Sequence, residues 1–327
     1  MQQYRDTDYA AVSAALHARE AKLLTQAMAE RMIDAATPEE SYKTLLECGY
    51  APLERCTLEN VEHALSQARR ELYREVSVLA PDKRIIELFQ IKYDYHNAKL
   101  ALKSKRTGED VSRLAMDCGR FDAQKVLRGE TSAVSAAMSR AMAQAESEAG
   151  HSGDVRMAEL LLDRACYEEM SALASETGST FLKDYVALQI DAINLRTLVR
   201  AQRMGCEDEI LAAAMLPGGR MFPTQLKGAR GDHLTALTHG TPLSAAGELA
   251  AKLLDGGGSL TEFERACDDA LMTFLQRARR TPFGPEVVVG YLGAKEAEFT
   301  AVRTILSGKI AGLNAEDIRA RLRMSYL

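Results

Sequence analysis

Apolar residues recur three and four positions apart along most of this chain, the spacing of one face of an α-helix. From Tyr9 to Ala36 the pattern sets Leu16, Leu23, Leu24, Ala27, Met28 and Met32 on one predicted helix. Thr37-Pro38-Glu39-Glu40 then reads as an N-cap followed by proline at the first helical position. The helix it opens carries Tyr42, Leu45 and Leu46 as far as Gly49. Thr57 is predicted to cap a long helix through Val61, Leu65, Leu72 and Val76, which Pro81 stops. A further helix runs from Asp82 to about Lys105 and ends by Gly108. Gly129, a turn over Gly150–Gly153, Gly178, Gly205 and Pro217-Gly218-Gly219 continue the punctuation. Ten of the 22 glycines lie between 205 and 258, which predicts a loop-rich connection between shorter helices. Helices resume at Ser259, break at Pro282–Pro285 and continue through Tyr326. Val287 to Val289 is too short to count as a strand. The pattern predicts an all-α fold.

The chain also resembles itself at about one third of its length. Asp94-Tyr-His-Asn97-Ala-Lys99 continues to Lys103 and Gly108, and Asp191-Ala-Ile-Asn194-Leu-Arg196 continues to Arg200 and Gly205. Acid, amide, two cations and glycine stop keep the same internal spacings. A weaker third copy places Phe299, Arg303 and Gly308 opposite Arg196, Arg200 and Gly205, with Ala294 and Ala297 in place of the aspartate and asparagine. A second phrase agrees: Asp163-Arg-Ala-Cys166 is echoed by Glu264-Arg-Ala-Cys267 and more faintly by Glu62-His-Ala-Leu65. The period far exceeds the ~34–47 residues of helical solenoids. It predicts three comparable helical modules, 1–110, 111–207 and 208–327, around a pseudo-threefold axis.

On a helical wheel Ile91, Tyr95, Ala98 and Leu102 share one face, as do Leu188, Ala192, Leu195 and Val199. Asp94 and Asn97, and likewise Asp191 and Asn194, border it, so they are predicted to fasten each helix to a neighbour by half-buried hydrogen bonds. Lys99, Lys103, Arg196 and Arg200 lie ~140–180° round the helix from the aspartates. They form either a solvated basic face or a surface for a partner, and Arg303 joins them by its place in the repeat.

Composition narrows the class. Aromatic residues make up 6% and tryptophan is absent, a mixture that favours helix over sheet. A formal charge of −5 argues against nucleic acid, which wants a basic face. The six cysteines at 48, 56, 118, 166, 206 and 267 form no C-x-x-C pair and read as reduced thiols of a cytosolic protein. Met1 to Asp8 has no apolar core of the signal-peptide kind. No run of 18 apolar residues offers a membrane span.

Catalytic and cofactor motifs fail one by one. Ser307-Gly308-Lys309-Ile310 lacks the earlier glycine and the hydroxyl of a phosphate loop. Asp268-Asp269 continues into Ala270-Leu271-Met272, with no third carboxylate for magnesium. His17, His63, His96, His151, His233 and His239 make no zinc pair, and no serine stands in a nucleophile elbow. Lys295-Glu296-Ala-Glu298 reads as a solvated helix face with local ion pairs. Arg319, Arg321 and Arg323 either complement a helix dipole or meet an acidic partner. No enzyme activity, cofactor or metal is expected.

Taken in order, the two Asp-x-x-Asn phrases with their cations, the closing Tyr291-Leu-x-x-Lys295-Glu296-x-Glu298, Arg303 and Gly308-Lys309 resemble the C-subunit family of bacterial and archaeal V/A-type ATPases, equivalent to the d subunit of the eukaryotic vacuolar enzyme. The stretch from Arg220 to Gly258 has no match in that likeness. The resemblance implies three similar helical domains forming a funnel. It implies a non-catalytic central-stalk socket, with the central-shaft subunits of the soluble head and the membrane's proteolipid rotor ring as partners. It also implies a peripheral place on the cytoplasmic face. The other reading is a general α-helical protein-binding scaffold outside any motor.

Overall fold

The computed structural model describes residues 4–152, 155–205 and 208–327, and among these no residue lies in a strand. The helices are α1 (Ala10–Glu20), α2 (Gln26–Asp34), α3 (Pro38–Glu47), α4 (Leu58–Leu79), α5 (Arg84–Thr107), α6 (Ala123–Leu127), α7 (Ala136–Ser152) and α8 (Val155–Thr177). There follow α9 (Thr180–Met204), α10 (Asp208–Ala214), α11 (Pro223–Leu226), α12 (Gly231–Thr238), α13 (Ser244–Leu254), α14 (Leu260–Leu275), α15 (Pro285–Ile310) and α16 (Ala315–Arg321).

Local chemistry sets most of the boundaries. Thr37 and Thr57 accept from the backbone N–H of Glu40 and Asn60, capping α3 and α4 as their sequence predicts. Ser179 and Ser259 do the same for α9 and α14. Gly108 and Gly205 end α5 and α9 at φ 72° and 64°, a left-handed conformation that a Cβ would strain. One expectation fails: the single helix predicted over Tyr9–Ala36 breaks at Ala21–Thr25, where the Thr25 side chain caps a new helix by accepting from Met28 N. Of the turn expected over Gly150–Gly153, Gly150 lies in α7 and Gly153 is outside the described residues.

The chain divides into two compact units, one formed by 82–229 and the other by 4–81 with 230–327. The predicted first module, 1–110, is therefore shared between them. In the first unit α8 packs against α5, α7 and α9. Phe89 of α5 stacks on Tyr185 of α9, with ring centroids 5.8 Å apart. In the second unit α15 is the central rod, packed against α1, α2, α3, α4, α14 and α16. Its Gly293 lets that rod approach α14 closely, since a Cβ there would stand 2.5 Å from Leu275 Cδ1. Cys48, Cys56, Cys118, Cys166 and Cys267 are free and buried, while Cys206 lies outside the described residues. Burial pushes the Cys48 and Cys166 thiols up to about 12, which leaves them inert. Among the described residues no helix is long and apolar enough to cross a membrane.

Candidate functional site

The repeated Asp-x-x-Asn phrases build two matching clasps in unit 82–229. On α5, Asn97 Oδ1 accepts from Met116 N at 2.9 Å and its Nδ2 donates to Met116 O at 3.0 Å. Asp94 Oδ1 accepts from Arg120 N at 3.0 Å and Phe121 N at 3.3 Å. On α9, Asn194 exchanges the same pair of bonds with Leu216, both at 2.8 Å. Asp191 accepts from Arg220 N at 3.1 Å and Met221 N at 2.9 Å. In each copy the asparagine and aspartate bind the backbone of the loop that follows, and the first clasp also reaches α8 through the Arg120 side chain. All four side chains are buried rather than half-buried. A buried loop must satisfy its backbone groups, and a side chain with an acceptor and a donor three residues from a carboxylate does so for one loop at three points.

Sequence reading missed the far half of the clasp, and its signal is the dipeptide Gly119-Arg120 recurring as Gly219-Arg220. A Cβ on Gly119 would stand 2.2 Å from Asp94 Oδ1, and one on Gly219 would stand 2.2 Å from Asp191 Oδ1. The glycine lets the backbone close onto the carboxylate. Gly219→Ala should therefore displace Asp191 and cost roughly 2–3 kcal/mol, the scale of losing hydrogen bonds to a charged group. Gly150→Ala, in open space inside a helix, should stabilise by up to ~1 kcal/mol. Urea unfolding of the two variants checks the contrast.

The two clasps differ in charge. Arg120 Nε donates to Asp94 Oδ2 at 2.7 Å, and its Nη1 donates to Glu169 Oε1 at 2.9 Å. Glu169 also accepts from Ser135 Oγ at 3.0 Å and from Tyr95 OH at 2.9 Å. Arg220 instead turns outward to Asp184 Oδ1 at 2.7 Å. Burial raises the Asp94 carboxyl to about 6, against the Arg120 side chain and the N–H groups of Phe121 and Arg120, which lower it. A raised acid stabilises the fold below its unfolded value near 4, and that contribution fades as pH rises through 6. Stability measured at successive pH values should show this fall, of order 1–3 kcal/mol between pH 4 and 7. Asp94→Asn should flatten it.

The predicted cations are engaged within the chain. Lys99 Nζ pairs with Asp163 Oδ1 at 2.7 Å, and Lys103 Nζ pairs with Glu159 Oε1 at 2.7 Å, both acids being on α8. Arg303 makes a forked pair with Glu62 of α4 at 2.6 and 2.5 Å. Asp163 and Glu62 belong to the second repeated phrase, so the two phrases meet each other. Arg196 is half-buried on α9 and Arg200 is exposed.

The third copy carries a different device. Lys295-Glu296-Ala-Glu298, expected on a solvated face with local ion pairs, does carry the pair Lys295–Glu298, but it is half-buried, and Glu298 is only 5% exposed. Glu298 Oε2 accepts from Leu24 N at 2.9 Å, and its Oε1 accepts from Tyr50 OH at 2.7 Å and from Lys295. Tyr73 OH donates to Glu296, whose Oε1 lies 3.5 Å from the Arg69 Nε. Arg69 sits 4.6 Å from the centre of the Phe299 ring. The clasp acid is thus one helical turn beyond Ala294, on a longer side chain, and it grips Leu24 in the break between α1 and α2. That bond satisfies the Leu24 N–H that the interruption of the predicted first helix leaves without a helical acceptor. Lys309, whose surroundings fall short of a phosphate loop, caps α2 by donating to Ile33 O at 2.8 Å and Ala35 O at 2.5 Å.

Acidic and basic tail residues pair likewise. Arg323 binds Asp268 at 2.6 Å, Met324 N donates to Asp269 at 2.7 Å, and Arg319 binds Glu30 at 2.7 Å and Asp34 at 2.5 Å. No group of three His, Cys, Asp or Glu able to hold a metal occurs among the described residues. A cleft of about 350 Å³ in the discontinuous unit is lined by Arg19, Tyr50 and Lys295, but Arg19 is paired with Glu75 and Lys295 with Glu298. What these groups do chemically is hold backbone in place.

The family model described as ATP synthase (C/AC39) subunit matches residues 12–321. The V-type sodium ATPase C subunit of Enterococcus hirae is 22% identical over 326 residues, 98% of this chain and 99% of that protein. The V-type ATP synthase C subunit of Thermus thermophilus is 27% identical, covering 93% of this chain and 94% of its own length. The A-type ATP synthase C subunit of Methanocaldococcus jannaschii is 23% identical, covering 96% and 86%.

Proposed function

Because the chain belongs to the ATP synthase (C/AC39) subunit family, we propose that it serves as the non-catalytic central-stalk socket of a rotary V/A-type ATPase, joining the shaft of the soluble head to the membrane's rotor ring. Its partners in this reading are the central-shaft subunits and the ring proteolipid, at the cytoplasmic face of the membrane, with no nucleic acid and no span of its own. The proposal includes the triplicated, funnel-shaped plan, with α5, α9 and α15 as the long helix of each third.

The observation that carries it is the family match from residue 12 to 321. The character of the polar groups supports it. A part that transmits torque needs stiffness, and close-packed helices resist compression. Buried carboxylates that accept from backbone N–H groups, as at Asp94, Asp191 and Glu298, lock loops onto rods. Lys99, Lys103, Arg196, Arg200 and Arg303 remain the proposed partner-side cations, their within-chain pairing being one that a competing acid could exchange.

Affinity purification of the tagged chain from native membranes, with identification of what accompanies it, tests the reading. Head and ring subunits are the expected companions. Recovery of the chain with other proteins, and none of these, would replace the socket with the scaffold reading.

A further inference from the structure

Several cations in the discontinuous unit are matched by acids of the same chain: Arg19 by Glu75, Arg31 by Glu47, Arg303 by Glu62, Arg319 by Glu30 and Arg323 by Asp268. One short segment gathers three that are not. The 3-10 turn Gln276–Arg280, between α14 and α15, exposes Arg277, Arg279 and Arg280 together. Among the described residues no carboxylate pairs with any of the three.

These side chains are not loose. The Arg277 guanidinium lies 5.1 Å from the centre of the Phe274 ring, and that of Arg279 lies 5.9 Å from Tyr326. Arg279 Nη1 also donates to Tyr326 O at 3.3 Å. The turn itself is anchored, because Gln276 Nε2 donates to Ser325 O and Tyr326 O, and His17 Nε2 meets Thr281 O. Nearby acid is committed elsewhere, Glu20 to His17 at 3.1 Å. Beside the arginines, Pro282 and Phe283 are exposed, Phe283 to 39%.

We infer that Arg277, Arg279 and Arg280, with Phe283 beside them, form a docking patch for an acidic protein segment of another subunit in the rotary assembly; this rests on the function proposed above. Charge complementarity names the occupant's chemistry. Guanidinium forks match carboxylates two bonds at a time, and side chains already seated on rings lose little freedom on binding. An anionic membrane is the poorer fit. Surface attraction supplies about 1 kcal/mol per cation, and lipid-binding clusters carry roughly four to eight.

The test uses the whole assembly isolated from membranes. Arg277→Gln, Arg279→Gln and Arg280→Gln combined should leave the chain's helicity and melting temperature unchanged. The triple variant should leave the assembly at half the salt concentration, or less, that removes the wild-type chain. In a second preparation, Arg280→Lys places an amine on the patch, and carbodiimide should couple it to an aspartate or glutamate of a different subunit. Equal salt midpoints for wild type and triple variant would overturn the patch alone. Coupling confined to this chain would do the same, as would arginine-dependent sedimentation with phosphatidylserine vesicles. A wild-type chain found outside any ATPase assembly would strike down the proposed function together with the patch.

Discussion

Glu298→Ala is expected to lower the unfolding free energy by about 3–5 kcal/mol, the scale of breaking one side of a buried ion pair. The carboxylate is only 5% exposed and serves three donors, Leu24 N, Tyr50 OH and Lys295 Nζ. Removing it leaves a lysine whose side chain is 13% exposed without its acid, and orphans a buried backbone N–H. Burial and the neighbouring Glu298 hold the Tyr50 hydroxyl far above its usual range, so Tyr50 stays a neutral donor and cannot replace the charge. Glu298→Gln keeps one acceptor oxygen, enough for Leu24 or Tyr50 but not both, and fills the same space, so it should cost less than alanine, about 2–3 kcal/mol. Converting Lys295 to Met in the Glu298→Ala background should recover part of the loss, because a matched apolar pair needs no compensation. Urea denaturation of the three variants is the measurement. A Lys295→Met change that deepens the loss would reject the ion pair as the main effect.

Asp94→Ala should be nearly as severe, about 3–5 kcal/mol, while Asp191→Ala should cost about 1–3 kcal/mol. Both lose two backbone bonds, but only Asp94 also faces a buried guanidinium. Arg120 is 12% exposed and Arg220 is 61% exposed. A double-mutant cycle separates the terms. Coupling between Asp94 and Arg120 should reach about 1–3 kcal/mol, and coupling between Asp191 and the Arg220 side chain should be near zero. Similar coupling in both cycles would contradict the charge difference between the clasps.

Much of the fold was readable where the deciding chemistry is local. Thr37 and Thr57 cap the helices that follow them within three residues, and Gly108 and Gly205 stop theirs within one. The Asp-x-x-Asn repeat is equally legible, because both residues sit on one helix. Their loop partners were not. The helical phrases recur after 97 residues, whereas Gly119-Arg120 recurs after 100. The second connecting loop is longer, so Asn194 reaches Leu216 over 22 positions where Asn97 reaches Met116 over 19. A fixed period therefore loses the pairing. The break at Ala21–Thr25 was hidden for a stronger reason: the acceptor that holds Leu24 N lies 274 residues away. Lys295-Glu296-Ala-Glu298 misled because charge density usually means solvent, and only tertiary packing reveals that Arg69, Tyr50 and Tyr73 converge on it.

The discontinuity of the second unit has a consequence for synthesis. Residues 82–229 form a continuous stretch that can pack as soon as it leaves the ribosome, whereas 4–81 await 230–327. Translation at ~5–20 residues per second leaves the first four helices without their central rod for tens of seconds. During that interval Leu16, Met32, Ile33 and Leu45, each at most 2% exposed in the finished fold, face water or a chaperone. The nascent chain carries a completed middle and an unfinished beginning until α15 emerges to receive Leu24.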